Sequence, residues 1–331
     1  MAWMRGNRHI VALLSFAAAM LALPLLAEND YYLTVLIVAG LNAILVLGLN
    51  LVMGYAGQVS LGHAAFYGIS AYTSAILTTA WRWPVPAGIL AGVLVALAVA
   101  ALIGMPTLKL KGHYLAMGTL GFGLIVYIVL NEATALTGGP SGLPSIPRLR
   151  LAGWTVEGDR AYYYVVWTAL LLVFLLAQNL VRSRAGRALR AIHTSEAAAS
   201  VLGVDTARYK LGIFVLSAGY AGIAGALYAH YVTFVSPTSF GFHASVQLVT
   251  MAVLGGMASL WGSVAGAIFL TVLPEFLRAL EDFDILVYGA ILILCMMYLP
   301  GGLAEGARRL GHAARVLTGR RTATPPAGGR P

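Results

Sequence analysis

A polar, glycine-rich interruption separates two apolar runs near the start of this chain. Residues 49–68 read LNLVMGYAGQVSLGHAAFYG. Glycine leaves the backbone uncovered, and amide, hydroxyl and imidazole side chains add hydrogen-bonding groups. These residue types favour a break between two helices, with a gate or solute pathway at that break, over covalent chemistry. The candidate gate residues in this stretch are Gly54, Gly57, Gln58, Ser60, Gly62 and His63.

A second interruption, VLGGMASLWGSVAG at residues 253–266, has the same character. Its glycines permit a turn or close packing of backbones. Both interruptions contain glycine, two further residues and then Ser-Leu, at residues 57–61 and 256–260. The match fits an internal repeat, which many transporters have, and it fits coincidence equally well. The candidate gate residues here are Gly255, Gly256 and Ser259.

Catalytic and metal-binding motifs are absent from the sequence. The histidines lack the helical spacing and third ligand of a metal site, and there is no G-x-S-x-G elbow. No G-x-x-x-x-G-K-[ST] phosphate loop occurs, so the chain is not expected to hydrolyse ATP. Cys295 is the single cysteine, which leaves no disulfide framework. We predict a non-enzymatic chain that binds no metal or cofactor, in which histidines such as His193 and His230 are interfacial or helix-packing residues.

Composition places both interruptions in a membrane protein. Of the 331 residues, 60% are hydrophobic and 10% are charged, whereas soluble domains carry about 25% charged residues. Apolar runs near the roughly 20 residues that cross hydrocarbon recur along the chain. The predicted fold is an all-α polytopic membrane protein with about eight transmembrane helices and one broken or re-entrant segment. The predicted spans are 10–27, 33–53, 63–80, 85–106, 113–131, 162–181, 211–232 and 285–299, with the broken segment at 246–273.

The distribution of charge orients these spans. Lys and Arg concentrate in the N-terminus, at residues 109–111, in the loop 182–210 and in the C-terminal tail. The positive-inside rule places these four segments, and therefore both termini, in the cytoplasm. Residues 246–273 must then begin and end on the outer side, which requires a break within them. The region 33–80 likewise starts and ends outside, with the first interruption at its inner turning point.

Three regions follow from this topology. Residues 1–32 contain the cytoplasmic N-terminal end and the first transmembrane helix. That helix resembles a signal peptide, but its length leads us to expect that it is retained. Residues 33–305 form the transmembrane domain, with a cytoplasmic loop at 182–210. Residues 306–331 form a basic cytoplasmic tail that is predicted to be disordered towards its end.

Polar residues inside the predicted spans are uncharged, and acidic side chains lie near the span ends. Ion-coupled carriers usually bury charged residues, so energy is expected to come from elsewhere, although carbonyls at broken helices can also bind sodium ions. We expect most mid-span amides to bond neighbouring helices. The mid-span amides are Asn42, Asn50, Gln178 and Gln247.

The inside loop RSRAGRALRAIHTSEAAASVLGVDTARYK has a helical pattern, with Arg and Glu away from its apolar face. Such a helix suits the membrane surface, where arginines meet anionic lipid. It suits a groove on a cytoplasmic partner equally well. The apolar positions at helical spacing are Ala188, Leu189, Ile192, Ala197, Val201 and Leu202.

Five motifs in order make the chain resemble a known family. They are LNLVMGYAGQVSLGHAAFYGISAY at 49–72, LKLKGHYLAMGTLGFG at 108–123, LTGGPSGLPSIP at 136–147, GRALRAIHTSEAAASVLGVD at 186–205 and AVLGGMASLWGSVAGA at 252–267. Over residues 33–305 the chain resembles the LivM-type permease subunits of high-affinity branched-chain amino acid ABC transporters. The segment 137–143 and the extra first helix favour this type over the shorter LivH type.

The resemblance implies an ABC importer permease fold in the cell inner membrane. It implies three kinds of partner besides lipid: a LivH-type homologous permease, two cytoplasmic ATP-binding subunits that use the ATP, and a periplasmic substrate-binding protein. It further implies import of leucine, isoleucine or valine from periplasm to cytoplasm, by alternating access. The loop residues implied to couple to an ATPase are Gly186, Arg187, Arg190, Glu196, Ala197, Ala198 and Gly203.

Three other functions remain open at this point. Similar permeases import urea and short amides, and the sequence of this subunit separates those cargoes poorly. An ion-coupled amino acid carrier would transport without any ATPase. A structural membrane scaffold would tolerate lysine in place of Glu196 and Gly203.

Overall fold

The computed structural model describes residues 15, 16, 18, 20–24, 29–108, 110, 112–151, 154–277, 284–298 and 301–306. The predicted disordered tail and much of the first predicted span lie outside these residues. The described part of that span is helical, and the ring of Phe16 lies 5.8 Å from that of Trp167 and 5.4 Å from that of Trp261. This segment therefore packs against the helices that follow.

The described chain consists of α-helices with short connections. The all-α prediction is confirmed, apart from the two-residue strands β1 (Arg150–Leu151) and β2 (Trp154–Thr155), which pair antiparallel in one loop. Short helical turns lie at Thr134–Thr137, Gly139–Ser141 and Pro237–Phe240. The helices are α1 Asp30–Asn50, continued by a π-helical turn at Leu51–Tyr55, α2 His63–Thr79, α3 Val85–Thr107, α4 His113–Glu132, α5 Asp159–Arg182, α6 Arg184–Thr194, α7 Glu196–Val201, α8 Thr206–Val232, α9 Phe242–Gly255, α10 Leu260–Leu277 and α11 Asp284–Tyr298.

Six of the described helices are long and apolar enough to cross a membrane. They are α1 with its π-helical turn, α3, α4, α5, α8 and α10. Helices α2, α9 and α11 contain 17, 14 and 15 residues, fewer than the roughly 20 that span the hydrocarbon. The described chain is thus a multi-pass helical bundle, and the count of about eight transmembrane helices stays a prediction.

Helix α1 forms the centre of the bundle. It is apolar on every side, and nearly all of its residues from 39 to 50 are buried. A helix without a polar face is expected to be enclosed by other helices, and α1 packs against α5, α8, α9 and α10. The π-helical turn that continues its C-terminal end is also buried. The first interruption therefore begins in the interior of the protein.

Small residues bring α2 and α8 into close contact. The Ser70 hydroxyl donates to the Gly222 carbonyl at 2.7 Å, and a Cβ at Gly225 would overlap the backbone of Tyr67. Ser74 Oγ and His230 Nε2 lie 2.8 Å apart. Such contacts are typical of helix packing in membranes. His230 is a helix-packing residue, as predicted.

Helices α9 and α10 fold back on each other. A Cβ at Gly262 would overlap Gly255, and a Cβ at Gly266 would overlap the Met251 carbonyl. These pairs, 255 with 262 and 251 with 266, show that the two helices run antiparallel. Four residues, 256–259, connect them, with φ of +113° at Gly256 and +58° at Ala258. The predicted interruption of 246–273 is thus a tight helical hairpin in the structure.

Candidate gate and coupling site

Asn50 joins the two glycine-rich interruptions. Its side chain is fully buried, and Nδ2 lies within hydrogen-bonding distance of the Gly256 carbonyl (3.2 Å), the Ser259 carbonyl (3.1 Å) and Ser263 Oγ (2.5 Å). Its Oδ1 accepts a hydrogen bond from the Ala258 amide at 3.0 Å. Asn50 bonds a neighbouring segment, as predicted for mid-span amides. The sequence pattern did not reveal that this segment is the second interruption.

The backbone of the first interruption lies directly on the second. A Cβ at Gly54 would overlap Asn50 Oδ1 and the Ala258 amide. Glycine is therefore required at this position. Gly54 lies in the π-helical turn, a distortion that is frequent at functional sites. The Gln58 amide donates to the Val52 carbonyl at 3.1 Å and ends the helical pattern there.

The loop 182–210 reaches this junction through His193. His193 Nδ1 lies 2.8 Å from the Gly54 carbonyl. Because a carbonyl only accepts hydrogen bonds, Nδ1 carries the proton that is donated. The His193 ring also covers Gly57, where a Cβ would meet Cδ2 at 3.3 Å and where φ is +68°. The sequence predicted His193 to be an interfacial or helix-packing residue. No spacing pattern relates His193 to Gly54, which lies 139 positions away.

Polar atoms of three side chains in the first interruption are buried without a hydrogen-bond partner in the described part of the chain. Gln58, Ser60 and His63 are 4%, 2% and 2% exposed, and Gln58 Nε2 and Oε1, Ser60 Oγ and His63 Nε2 make no hydrogen bond there. Each such group costs about 1–3 kcal/mol. The adjacent backbone is satisfied, since the Leu61 amide donates to Thr119 Oγ1 at 3.1 Å. The first interruption thus contains four buried polar atoms that the described residues leave unsatisfied.

The remaining glycines and Ser259 shape the two interruptions. A Cβ at Gly62 would overlap the Thr119 carbonyl, and one at Gly255 would overlap the Gly262 carbonyl. Ser259 Oγ accepts from the Gly262 amide at 3.1 Å and caps α10. All nine candidate gate residues thus lie in two segments that meet at Asn50. Within the described residues, no three His, Cys, Asp or Glu side chains form a group able to hold a metal ion.

Gly186, Arg187 and Arg190 close the turn between α5 and α6. A Cβ at Gly186 would overlap the Val181 carbonyl. Arg190 Nη1 donates to that carbonyl at 3.1 Å, and Arg187 Nη1 lies 3.5 Å from the Arg182 carbonyl. The two arginines cover carbonyls left open at the end of α5. These three residues fix the start of the loop to the bundle.

The loop contains two helices, so the prediction of one amphipathic helix was wrong. Ser195 is extended, with φ of −160°, and its hydroxyl accepts from the Ala198 amide to cap α7. The capping hydroxyl competes with a continuous helix and lets the chain turn. Two of the predicted apolar positions, Leu189 and Ile192, are buried. Two others, Val201 and Leu202, are 88% and 81% exposed.

An ion pair holds α7 against the start of α8. Lys210 Nζ lies 2.7 Å from Glu196 Oε1, and the Lys210 side chain is only 9% exposed. A buried ammonium requires such a partner. Between them, Ala197, Ala198 and Gly203 are exposed, whereas Ala199 is buried. Glu196 therefore supports a projecting surface, which we call the loop tip and which comprises Ala197, Ala198, Val201, Leu202 and Gly203.

A cavity of about 240 Å³ lies between helices of the bundle. It is bounded by α1, α2, α8, α9, α10 and the turn at Pro237–Phe240. Asn42 Nδ2 donates to Thr271 Oγ1 at 2.9 Å in its wall, and the Gln247 side chain is exposed at its edge. None of the described residues that line it is charged. The lining residues are Val38, Asn42, Leu45, Tyr67, Tyr228, Ser239, Ala244, Gln247, Leu248, Met251, Leu270, Thr271 and Pro274.

Comparison with known proteins gives a consistent family. The family model described as "Branched-chain amino acid transport system / permease component" matches residues 31–297. The chain is 37% identical over 293 residues to the high-affinity branched-chain amino acid transport system permease protein LivM of Escherichia coli K12, covering 80% of this chain and 68% of that protein. It is 38% identical over 292 residues to LivM of Salmonella typhimurium, with the same coverage.

A more distant relative is the permease protein LivH of Salmonella typhimurium, at 27% identity over 284 residues, 79% of this chain and 90% of LivH. No solved structure matches the chain. The higher identity to LivM agrees with the motif-based preference for that type. The chain therefore belongs to the family of permease components of branched-chain amino acid transport systems.

Proposed function

We propose that this chain is the LivM-type permease subunit of an ABC importer that moves branched-chain amino acids from the periplasm into the cytoplasm. The LivM relatives are named as permeases of such systems. The chain itself is a transport subunit, and two cytoplasmic ATP-binding subunits hydrolyse the ATP. A LivH-type permease completes the membrane part, and a periplasmic protein delivers the substrate.

The observation that carries this proposal is the exposed loop tip. Val201 and Leu202 are 88% and 81% exposed at the end of a helix that is fixed by the Glu196–Lys210 ion pair. An apolar projection on a rigid base is typical of a surface that docks into a partner. We assign the ATP-binding subunit as that partner. The alternative, adsorption to lipid, would favour a longer helix with a continuous apolar face, and α7 has six residues.

The proposal also includes a membrane topology. Both termini and the loop 182–210 lie in the cytoplasm by the positive-inside rule. The contact between His193 and Gly54 supports a position of the first interruption near the cytoplasmic side. The hairpin of α9 and α10 supports a re-entrant segment that begins and ends outside. We propose that these two interruptions, held together by Asn50, form the inner gate.

The cavity of about 240 Å³ is the proposed solute route on the periplasmic side of that gate. Gln247, Asn42 and Thr271 present neutral dipoles at a depth where lipid contact with polar groups is unfavourable. A lining without charge suits a zwitterion with no net charge, and the aliphatic wall suits an aliphatic side chain. The cavity exceeds the roughly 150 Å³ that holds benzene in an engineered protein. Specificity is left to the binding protein.

Reconstitution tests the proposed function. The chain is co-expressed with its three kinds of partner, and the purified complex is placed in liposomes. We expect ATP-dependent uptake of labelled leucine only when the binding protein is present. Uptake of urea but not leucine would support the short-amide alternative. Leucine uptake by this chain alone under a sodium gradient, without ATP, would exclude an ABC permease and support a secondary carrier.

A further inference from the structure

We infer that His193 is a positioning residue that transmits movement of the cytoplasmic loop to both glycine-rich interruptions at once. The inference rests on the proposed function, in which the loop tip docks on an ATP-binding subunit. It adds the physical connection between that docking site and the gate. The connection consists of one imidazole, one backbone carbonyl and one asparagine.

The first step is the attachment of His193 to the end of α1. The last carbonyls of a helix have no partner within the helix. The Val52 carbonyl receives the Gln58 amide, and the Gly54 carbonyl receives His193 Nδ1 at 2.8 Å. The donor thus comes from a different segment, 139 residues away in sequence. Displacement of His193 acts directly on the π-helical turn.

The second step runs from Gly54 to the α9–α10 hairpin. Gly54 has no side chain to separate it from Asn50 Oδ1 and the Ala258 amide, and all three are in contact. Asn50 in turn holds the carbonyls of Gly256 and Ser259. Asn50, Gly54 and Gly256 are buried, whereas Ala258 is exposed and Ser259 is half-buried. Because these residues touch closely, they are expected to move as a unit. A shift of the turn must therefore displace residues 256–259.

The third step is the anchorage of His193 itself. His193 lies in the last turn of α6, next to the Ser195 cap that begins α7. The side chains of Leu189 and Ile192 are buried and anchor one face of α6. The Glu196–Lys210 pair fixes α7 to α8. A partner that pulls on the loop tip thus strains the short segment between α6 and α7, where His193 bonds the Gly54 carbonyl.

A static role for the same bond makes a different prediction. If His193 only stabilises the fold, its removal lowers the amount of assembled complex and leaves each surviving complex fully coupled. If His193 transmits movement, assembled complexes hydrolyse ATP without a matching amount of transport. Uptake per ATP hydrolysed, measured on purified complex, separates these roles.

The test uses two substitutions and a neighbouring control. His193→Ala removes the donor, His193→Asn keeps an N–H near the carbonyl, and Thr194→Ala removes a hydroxyl that bonds only within its own helix, at 3.0 Å from the Arg190 carbonyl. We expect uptake per ATP to fall roughly five- to tenfold in His193→Ala. We expect partial recovery in His193→Asn and wild-type coupling in Thr194→Ala. Wild-type coupling in all three would overturn the inference.

A labelling experiment supplies a second readout. Met257 is 47% exposed in the second interruption, and Met257→Cys in a Cys295→Ser chain gives one reactive thiol. We expect trapping of the ATPase with ADP and vanadate to change the alkylation rate of this thiol when His193 is present. In His193→Ala the rate should not respond. An equal response in both chains would contradict the transmission role, whereas absence of ATP-driven uptake in the parent complex would count against the proposed function instead.

Discussion

At the scale of single residues, the junction depends on one buried amide. Asn50 supplies both donor and acceptor to the 256–263 segment. Neither a carboxylate nor an aliphatic residue of similar size provides both. Asn50 therefore determines how the two interruptions are held together.

Asn50→Leu is expected to destabilise the protein by roughly 2–4 kcal/mol, because it removes the buried partner of the Ala258 amide and of the Gly256 and Ser259 carbonyls. The matched control is Asn42→Leu, which loses one bond to Thr271 and should cost about 1 kcal/mol or less. Unfolding of the purified chain in detergent, followed by helical circular dichroism, measures both. Equal losses in the two variants would contradict a special role for Asn50.

The sequence predicted the polar interruption but not its partners. Gln58, Ser60 and His63 stood out because they lie between apolar runs, and their burial without partners fits a gate. His193 could not be identified in the same way. His193 matters because it contacts Gly54 in the folded chain. No periodic pattern in the sequence indicates that contact.

At the scale of elements, the α9–α10 hairpin is specified by glycine. Gly255, Gly262 and Gly266 allow the two backbones to touch. The sequence predicted a break here from charge parity and glycine content. The position of the turn at 256–259 follows from positive φ values, which the pattern alone does not locate.

Gly266→Ala should weaken the hairpin. Its Cβ would lie 2.7 Å from the Gly255 Cα, so the helices must separate, and overpacking of this kind costs about 1–3 kcal/mol. Gly212→Ala in α8 is the control, because a Cβ there meets nothing within 4 Å and should be neutral or stabilising by up to about 1 kcal/mol. Thermal unfolding of the two variants compares them. A stable Gly266→Ala protein would show that the close contact is dispensable.

The loop tip makes a separate prediction about assembly. Leu202→Lys places a charge on the surface proposed to enter the ATP-binding subunit, and we expect recovery of that subunit in co-purification to fall about tenfold or more. Ser200→Lys adds the same charge to an exposed polar position of α7 and should have little effect. Folding of each variant is checked by size-exclusion chromatography. Loss of the subunit in both variants would indicate a charge effect without a specific docking surface.

At the scale of the whole molecule, the bundle encloses features that no single stretch predicts. The cavity is bounded by five helices and a turn that are far apart in sequence. Its amides Asn42 and Gln247 were interpreted as helix-packing residues. That holds for Asn42, whereas Gln247 is exposed at the cavity edge. Helix positions were largely predictable from hydropathy, but the cavity depends on how the helices meet.

Filling the cavity should block transport without preventing assembly. Ala244→Trp extends into the space beside Gln247, and we expect leucine uptake to fall at least roughly tenfold while all subunits still co-purify. Val246→Trp adds the same bulk two residues away at an exposed position that does not line the cavity. Uptake is measured with labelled leucine in liposomes. Normal uptake by Ala244→Trp would show that the cavity does not lie on the solute route.

The proposed topology is testable by the side from which thiols react. In a Cys295→Ser chain, Thr238→Cys should react with an impermeant maleimide added outside spheroplasts, because residues 233–245 are predicted to be outside. Met257→Cys and Val201→Cys should react only in inside-out vesicles. The three positions lie on both sides of α9 and in the loop tip. Reaction of Met257→Cys from the outer side would exclude the re-entrant arrangement.

The uncharged character of the cavity has an electrical consequence. Membrane voltage does work only on charge, about 2.3 kcal/mol for each elementary charge that crosses 100 mV. The cavity lining contains amides, hydroxyls and aliphatic groups, and a zwitterionic passenger has no net charge. The membrane voltage therefore neither drives nor opposes passage of the zwitterion through this cavity. Transport through it should be electrically silent and equally fast in polarised and depolarised vesicles.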